Sequence, residues 1–356
     1  MEGGNGPKYT QLLGVLEQAH KDSRKKVAIE LQRNPDPDAM SCALVMQDVC
    51  IAKGLEATIT HAGEISHPSN IVMKTRLDIK TTCYAKDALL PENYDAFIFL
   101  DHSGGTSPWR LDGKIPDDRI LAVVDHHDLE RTLPDIPYVD RRRVGASATI
   151  VAEYLMQGLD KELGITDHAD PRMQRYTTAL VLGIRSDTRG LTRNVTTLDD
   201  QAYTFLRPCA NMPLVCHIEN SKWTKTWMDL LGKAIVNRET KNGVCIAIVG
   251  NIAPSDHDVL GMIADKLMEE KGHHTVYVAG IQPDKYDVSI RTEDETLRFD
   301  KLLEILPDGT NGGGKDGAGG LQIPNTFSGS FLDKGDQETV HIDLLKQRLM
   351  EYLMAK

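Results

Sequence analysis

The 356-residue sequence predicts a two-domain α/β fold, with a mostly parallel sheet in its first half and a smaller α/β domain after it. Three observations carry this expectation. Short apolar runs such as KKVAIEL, DAFIFLD and RILAVVD alternate with helical segments, the rhythm of parallel strands joined by crossover helices. The texture changes around 208–240, where Pro208 and Pro213 punctuate the chain, and a second series of strands and helices follows. The length suits about two domains of ordinary size, each with its own core.

In chain order, KKVAIEL (25–31) reads as a buried strand, and AMSCALVMQ opens a helix over 39–53. ATITHAG (57–63), DAFIFLD (95–101) and RILAVVD (119–125) are further strands, and helices follow over 147–158 and 171–185, the second leading into GIRSDT. A linker helix is expected over 221–238. In it Trp223 and Trp227, at i and i+4, lie on one face and read as packing residues. Beyond it come the strand VCIAIVG, a helix over 255–271, the strands TVYVAGIQ and YDVSIRTE, and a helix over 299–306. The glycine-dense GTNGGGKDGAGG reads as a loop, and a last helix is expected near 340–354. The domains therefore divide as 1–220, a linker helix 221–238, and 239–356.

Composition narrows the function. With 40% apolar and 26% charged residues the chain reads as a globular protein of the aqueous phase. No apolar run approaches the ~20 residues that cross a bilayer, so no membrane partner is expected. The opening MEGGNGPKYT lacks a basic segment followed by an apolar one, which argues against a secretory signal. Six scattered cysteines without a CxxC pair read as reduced thiols, with Cys42, Cys50 and Cys245 in the core, and the expected compartment is the cytoplasm. A net charge of −11 argues against a grip on long duplexes, which requires a basic surface. A small anion held by local arginines and a metal remains compatible with it.

The chemistry concentrates in four acidic clusters. Asp36 and Asp38 lie in NPDPD, Asp101 precedes His102, Asp125 opens Asp-His-His with His126 and His127, and Asp187 lies in GIRSDTRG. Each follows a strand or a helix end. Asp at such a place is commonly a cap, but four on one sheet exceed what capping explains. Carboxylates share a small volume only when a cation sits among them, because like charges otherwise force proton uptake. Oxygen ligands with one or two imidazoles suit Mn²⁺ or Mg²⁺ better than structural zinc. A carboxylate can bridge two cations ~3.5–4 Å apart, so Asp36 and Asp38 are expected to feed two different ions.

The ordered set NPDPD, LDHS, VVDHH and RSDT resembles the DHH phosphoesterase superfamily. VSIRT and the glycine run resemble the DHHA1 domain that follows in many members, and GEISHPSN (63–70) with GASATIVAEYL (145–155) resembles the bacterial oligonucleotide-directed branch, the nanoRNases. The resemblance implies a mostly parallel-sheet DHH domain and a smaller DHHA1 domain. It also implies two Mn²⁺ ions, with Mg²⁺ as the substitute. Asp36 would ligate one ion and Asp38 the other, Asp101 would bridge them, and His126 and Asp187 would complete the second. His127 would sit beside the reacting phosphate, within the catalytic set Asp125, His126 and His127. Ser289, Arg291 and the N–H groups of Gly312, Gly313 and Gly314 would hold the substrate's other phosphate. Two positions depart from the pattern: Gln32 stands where members usually place a metal-binding His and would offer its carbonyl as a weaker ligand of the first ion, and Lys315 stands where the glycine motif usually ends in His and would keep a cationic donor for the substrate phosphate.

The implied activity is a metal-dependent phosphoesterase acting on oligoribonucleotides, linear dinucleotides such as pApA, or 3′-phosphoadenosine 5′-phosphate. Its partner is a small nucleotide or short oligonucleotide, and a homodimer is compatible with this reading. The alternatives are a pyrophosphatase or exopolyphosphatase, whose related second domain uses basic residues in place of a glycine loop, and a weakly active regulatory nucleotide-binding protein. Arg185, Arg189 and Arg193 flank Asp187 as candidates for phosphate contact. Arg141–Arg143 read as a solvated turn.

Overall fold

The computed structural model describes residues 7–324 other than 106, 128–134, 168, 305, 307 and 316, together with residue 347. The helix expected near 340–354 lies outside the described residues. The chain divides into two compact units, Met1–Ser221 and Lys222–Lys356.

The first unit begins with α1 (Lys8–Lys21), β1 (Lys26–Glu30), α2 (Pro37–Ala52), β2 (Glu56–His61), α3 (Pro68–Arg76) and β3 (Thr81–Cys83). It continues with α4 (Tyr84–Asp87), β4 (Ala96–Leu100), α5 (Pro108–Leu111), β5 (Ile120–Asp125) and β6 (Tyr138–Arg141). Helices α6 (Ser147–Met156), α7 (Leu159–Glu162), α8 (Pro171–Asp187), α9 (Thr197–Leu206) and α10 (Met212–Glu219) complete it. All strand pairs are parallel, in the order β3-β2-β1-β4-β5-β6. The order reverses between β1 and β4, and ligands of such sheets bind beyond the strand ends at that switch point.

The sheet is buried on both faces, which is why its strands read as continuous apolar runs. Along β4, Ala96, Ile98 and Leu100 join the core under α1, α2, α6 and α8, while Phe97 and Phe99 face an aromatic cluster in which Tyr84 stacks on Trp109 at 3.8 Å. Helix α2 starts at Pro37, two residues before the expected start. Asp36 caps it by accepting the Ala39 N–H at 3.0 Å, and a proline suits the first helical position because its missing N–H would be unpaired there. Strands β3 and β6 were not anticipated, being only three and four residues long.

The second unit consists of α11 (Lys225–Asn237), β7 (Glu239–Lys241), β8 (Val244–Asn251), α12 (Asp258–Met268), β9 (Thr275–Ile281), β10 (Lys285–Thr292), α13 (Phe299–Glu304), β11 (Asn311–Lys315) and β12 (Ala318–Pro324). Its sheet runs β11-β12-β10-β9-β8-β7, parallel only between β8 and β9. The segment expected as a linker packs here: Trp227, Leu230 and Ala234 of α11 share a core with Cys245, Ala247 and Val249, and the Trp227 indole donates to Asp256 Oδ1 at 2.8 Å.

Helix α8 packs tightly against α2 and α6 at Gly183. A Cβ there would stand 2.6 Å from Ser41 Oγ, 2.9 Å from Ala148 Cβ and 3.1 Å from Asp38 Cα. Alanine is worth about 1 kcal/mol more than glycine inside a helix, while overpacking costs about 1–3 kcal/mol. Gly183→Ala is therefore expected to lower stability despite its better propensity, read as a lower urea midpoint. A raised midpoint would show that the three helices yield to admit a methyl group.

Candidate metal centre

The acidic clusters converge beyond the carboxyl ends of β1, β4 and β5, at the switch point. Asp36 and Asp38 lie at the entry of α2, Asp101 directly follows β4, His126 and His127 follow β5, and Asp187 is the last residue of α8. Asp38 and Asp101 are buried, and Asp187 is half-buried. Asp101 has φ 62°, a left-handed backbone in which Asp is among the few tolerated side chains; it turns the chain sharply out of the strand.

The imidazole of His126 is the centre's most informative group. Its Nδ1 lies 3.0 Å from the Val144 carbonyl and donates to it, so Nε2 is the nitrogen turned into the centre, where it can offer a lone pair to a cation once its own proton has left. Nε2 stands 3.3 Å from Asp187 Oδ2, 3.5 Å from Asp101 Oδ1 and 3.9 Å from Asp38 Oδ2, yet makes a well-formed hydrogen bond with none of them. Ligand atoms of Asp38, His126 and Asp187 lie within 4.8 Å of one another, as do those of Asp101, His126 and His127. A buried imidazole nitrogen facing three carboxylate oxygens fits a divalent cation.

Without a cation the centre stores protons. Burial and the charge of Asp187 push Asp36 up to about 6, and the same two causes push Asp38 up to about 8. Burial and the charge of Asp38 push Asp101 well above the usual carboxylate range. Burial opposes charge on His126, but Asp187 and Asp38 outweigh it and raise the imidazole to about 9.

Backbone donors hold the carboxylates in place. Ser147 N and Ala148 N, at the start of α6, donate to Asp38 Oδ2 and Oδ1 at 2.7 and 2.6 Å, and Ser147 Oγ donates to Asp101 Oδ1 at 3.0 Å. The segment 144–148 is fixed in turn by buried Asp199, which accepts from Gly145 N, from Thr196 N and Oγ1, and from the Thr149 hydroxyl. A Cβ on Gly145 would meet Thr188 Cγ2 at 2.5 Å, so only glycine passes here. Sequence reasoning missed Ser147, Gly145 and Asp199 in these roles. The T-x-x-D spacing of Thr196 and Asp199 was the available signal, since it forms a capping box on α9.

Asp125 points at His127 rather than at the cation position. Its Oδ1 accepts from the His127 backbone N–H at 3.0 Å and lies 2.8 Å from His127 Nδ1, and Ser103 Oγ donates to Oδ2 at 2.5 Å. Burial would raise Asp125, but the bonds from His127 and Ser103 prevail and hold it down at about 2. His102 takes no part in the centre: Nε2 donates to the Glu30 carbonyl and Nδ1 accepts the Gly104 N–H, both at 3.0 Å. Gln32 donates through Nε2 to Asp36 Oδ2 at 3.0 Å and to Asp101 Oδ2 at 3.4 Å.

The remaining candidates lie elsewhere. Arg185 is bound by both Glu219 oxygens, and Arg142 pairs with Asp140 and Glu153, so neither belongs to a solvated turn or an open anion site. In the second unit Ser289 and Arg291 are neighbours on one face of β10, with Nη1 donating to Ser289 Oγ at 3.2 Å. Arg291 also grips Asp265 through Nε and Nη2. The glycine run is not a loop. Gly312, Gly313 and Gly314 lie in the edge strand β11, which ends at Lys315 and pairs with β12. In extended chain, successive N–H groups point to opposite edges, so the run forms no concave nest of amides. Instead Gly313, Gly320 and Ser289 lie in one row across the sheet; a Cβ on Gly313 would meet nothing within 4 Å, and one on Gly320 only the Val288 carbonyl at 3.6 Å.

Comparison with known proteins agrees with this architecture. Residues 242–350 match the family described as the DHHA1 domain. An uncharacterised protein of Methanocaldococcus jannaschii is 31% identical over 343 residues, covering 96% of this chain and 67% of its own length. A probable manganese-dependent inorganic pyrophosphatase of Deinococcus radiodurans is 28% identical over 181 residues, 50% of this chain and 52% of its own. The chain thus spans two thirds of the first relative and half of the second. Among solved structures, an exopolyphosphatase-related protein of Bacteroides fragilis superposes with a TM-score of 0.67 at 13% identity, covering 96% of this chain and 98% of that one. Exonuclease RecJ bound to manganese does so with a TM-score of 0.56 at 14% identity, covering 99% and 96%. Those two likenesses concern the fold; together with the relative aligned along nearly the whole chain and the domain match in the second unit, they make this protein a member of the DHH/DHHA1 phosphoesterase family.

Proposed function

We propose that the protein is a divalent-metal-dependent phosphoesterase that hydrolyses short nucleotide substrates: oligoribonucleotides, pApA-type linear dinucleotides or 3′-phosphoadenosine 5′-phosphate. The observation that carries this reading is the buried His126 Nε2, which faces Asp38, Asp101 and Asp187 without a hydrogen-bond partner. Asp38, Asp101, His126 and Asp187 would hold the cation, with Mn²⁺ favoured and Mg²⁺ the substitute. A divalent ion there would polarise a phosphoryl oxygen and lower the pKa of an attacking water.

The chain's own residues supply the rest. Asp125 fixes the proton of His127 on Nδ1 and sets the ring's orientation, leaving Nε2 to address a substrate oxygen and the leaving group. Ser103 holds Asp125 from its other side, so the pair keeps its orientation through turnover. In the second unit, Ser289, Arg291 and the bare row of Gly313 and Gly320 offer a flat shelf with a cationic edge. Arg291 would exchange the Asp265 carboxylate for a substrate phosphate, a like-for-like bidentate partner. The DHHA1 match over this unit agrees with the sequence resemblance that implies a nucleotide substrate. The pyrophosphatase relative favours a second reading, in which pyrophosphate or polyphosphate is the substrate.

Chromatography of pApA, 3′-phosphoadenosine 5′-phosphate and pyrophosphate, each incubated with the protein and Mn²⁺, separates these readings. AMP is expected from pApA with the native protein and none with Asp101→Asn. Intact pApA beside released orthophosphate from pyrophosphate would move the assignment to the second reading. Protection of the fold by pApA without its consumption would make the protein a nucleotide-binding regulator. Ser103→Ala is expected to lower kcat about ten- to a hundredfold with little change in KM, as for other groups that orient a reacting residue.

The pH dependence follows from the raised groups. Asp36 and Asp38 titrate higher in the folded chain than the ordinary 3.8, so the empty centre loses stability as pH rises from about 4 through about 6 and 8. His126, raised to about 9 from 6.5, contributes stability that is present below 6.5 and lost as pH climbs through 9. Cation binding must release these protons. The rise in Tm caused by saturating Mn²⁺ is therefore expected to be larger at pH 8 than at pH 6, with protons released on binding. An equal rise at both pH values would remove these groups from the cation site.

A further inference from the structure

We infer that the centre is asymmetric and keeps one resident divalent cation, among Asp38, Asp101, His126 and Asp187, while the side-chain amide of Gln32 occupies the space between Asp36 and Asp101 where a second cation would sit. The inference rests on the metal-dependent reading above and adds to it the number of ions.

The two halves of the centre differ in what they offer. Around His126 Nε2 stand three carboxylates; Ser147 and Ala148 hold Asp38 and Asp101 from the α6 side, and no amide stands between the carboxylates and Nε2, which is itself without a hydrogen-bond partner. On the other side both Asp36 oxygens are already engaged, Oδ1 by the Ala39 N–H that starts α2 and Oδ2 by Gln32 Nε2 at 3.0 Å. The same Gln32 nitrogen reaches Asp101 Oδ2 at 3.4 Å. Among the described residues, neither cluster of His, Cys, Asp and Glu able to hold an ion includes Asp36.

Chemistry sharpens the contrast. A primary amide placed between two carboxylates presents its N–H₂ group, since its oxygen would face like charge. For Gln32 to become a ligand, the amide must turn over and give up both hydrogen bonds, and it returns only a neutral oxygen. Affinity for hard cations falls with fewer charged ligands. A second ion at this position must therefore displace the amide and is retained far more weakly than the first.

The test counts ions rather than turnover. The full chain is loaded with Mn²⁺, desalted and measured for manganese per chain, with native mass spectrometry and the Mn²⁺ electron paramagnetic resonance spectrum alongside. The native protein is expected to keep about one ion and to show an isolated-ion spectrum. Gln32→His, which replaces the amide by an imidazole, is expected to keep about two ions and to show a spin-coupled pair. Gln32→Glu tests the same point if the histidine variant fails to fold. Gln32→Ala, which removes the amide without adding a ligand, is expected to stay at about one. Two equally retained ions in the native chain would overturn the asymmetry and leave the metal-dependent reading standing. A single ion in folded Gln32→His and Gln32→Glu would overturn the role of Gln32. No retained ion in any form would overturn this inference and the metal-dependent reading together.

Discussion

The first unit is organised around the crowding of carboxylates at the reversal between β1 and β4. Asp36, Asp38, Asp101 and Asp187 come together there, three of them with both desolvation and like charge acting against ionisation. Such a grouping is unfavourable unless positive charge or oriented dipoles answer it. The fold answers with donors: the first turn of α6 supplies two N–H groups to Asp38, the α2 entry supplies one to Asp36, and Ser147 supplies a hydroxyl to Asp101. These donors hold geometry without neutralising charge, which leaves an electrostatic vacancy suited to a cation. The packing of α8 on α2 through Gly183 follows from the same need, because it delivers Asp187 to the site.

Much of this was legible in the sequence, and the reasons are physical. Strands buried on both faces write unbroken apolar runs, and Asp101 and Asp125 at the ends of two such runs marked the functional edge of the sheet. Strands β3 and β6 were not legible, because three or four residues at a sheet margin leave too short a pattern. The ligand candidates could be named because charge is costly to bury. Their supports could not, since Val144 acts through a carbonyl and Ala148 through an N–H, groups every residue possesses.

The glycine run shows a different limit. Twelve residues rich in glycine read as a loop because glycine lacks a side chain with which to announce an extended partner. The structure makes them a hairpin, with Gly317 at φ 77° in its turn and β11 at the sheet margin. Close approach explains the composition: a Cβ on Gly314 would meet the Ala318 carbonyl at 2.5 Å, and one on Gly319 would meet Phe299 at 2.1 Å. Some of these glycines therefore serve the packing of the hairpin, while Gly313 has room to spare and Gly320 would admit a methyl group in ordinary contact with the Val288 carbonyl.

The left-handed backbone of Asp101 constrains how this protein could drift over evolutionary time. Asp, Asn and Gly sit at such a φ at little cost, and most other side chains add strain to the turn out of β4. Of those three, only Asp carries charge. Replacements that the fold accepts most readily at this position are thus the ones that would silence the proposed cation centre. A descendant that kept the architecture but abandoned the chemistry would be expected to carry Asn or Gly at 101 within an otherwise intact set of strand ends. That single position would distinguish an inactive copy of this fold from a working one.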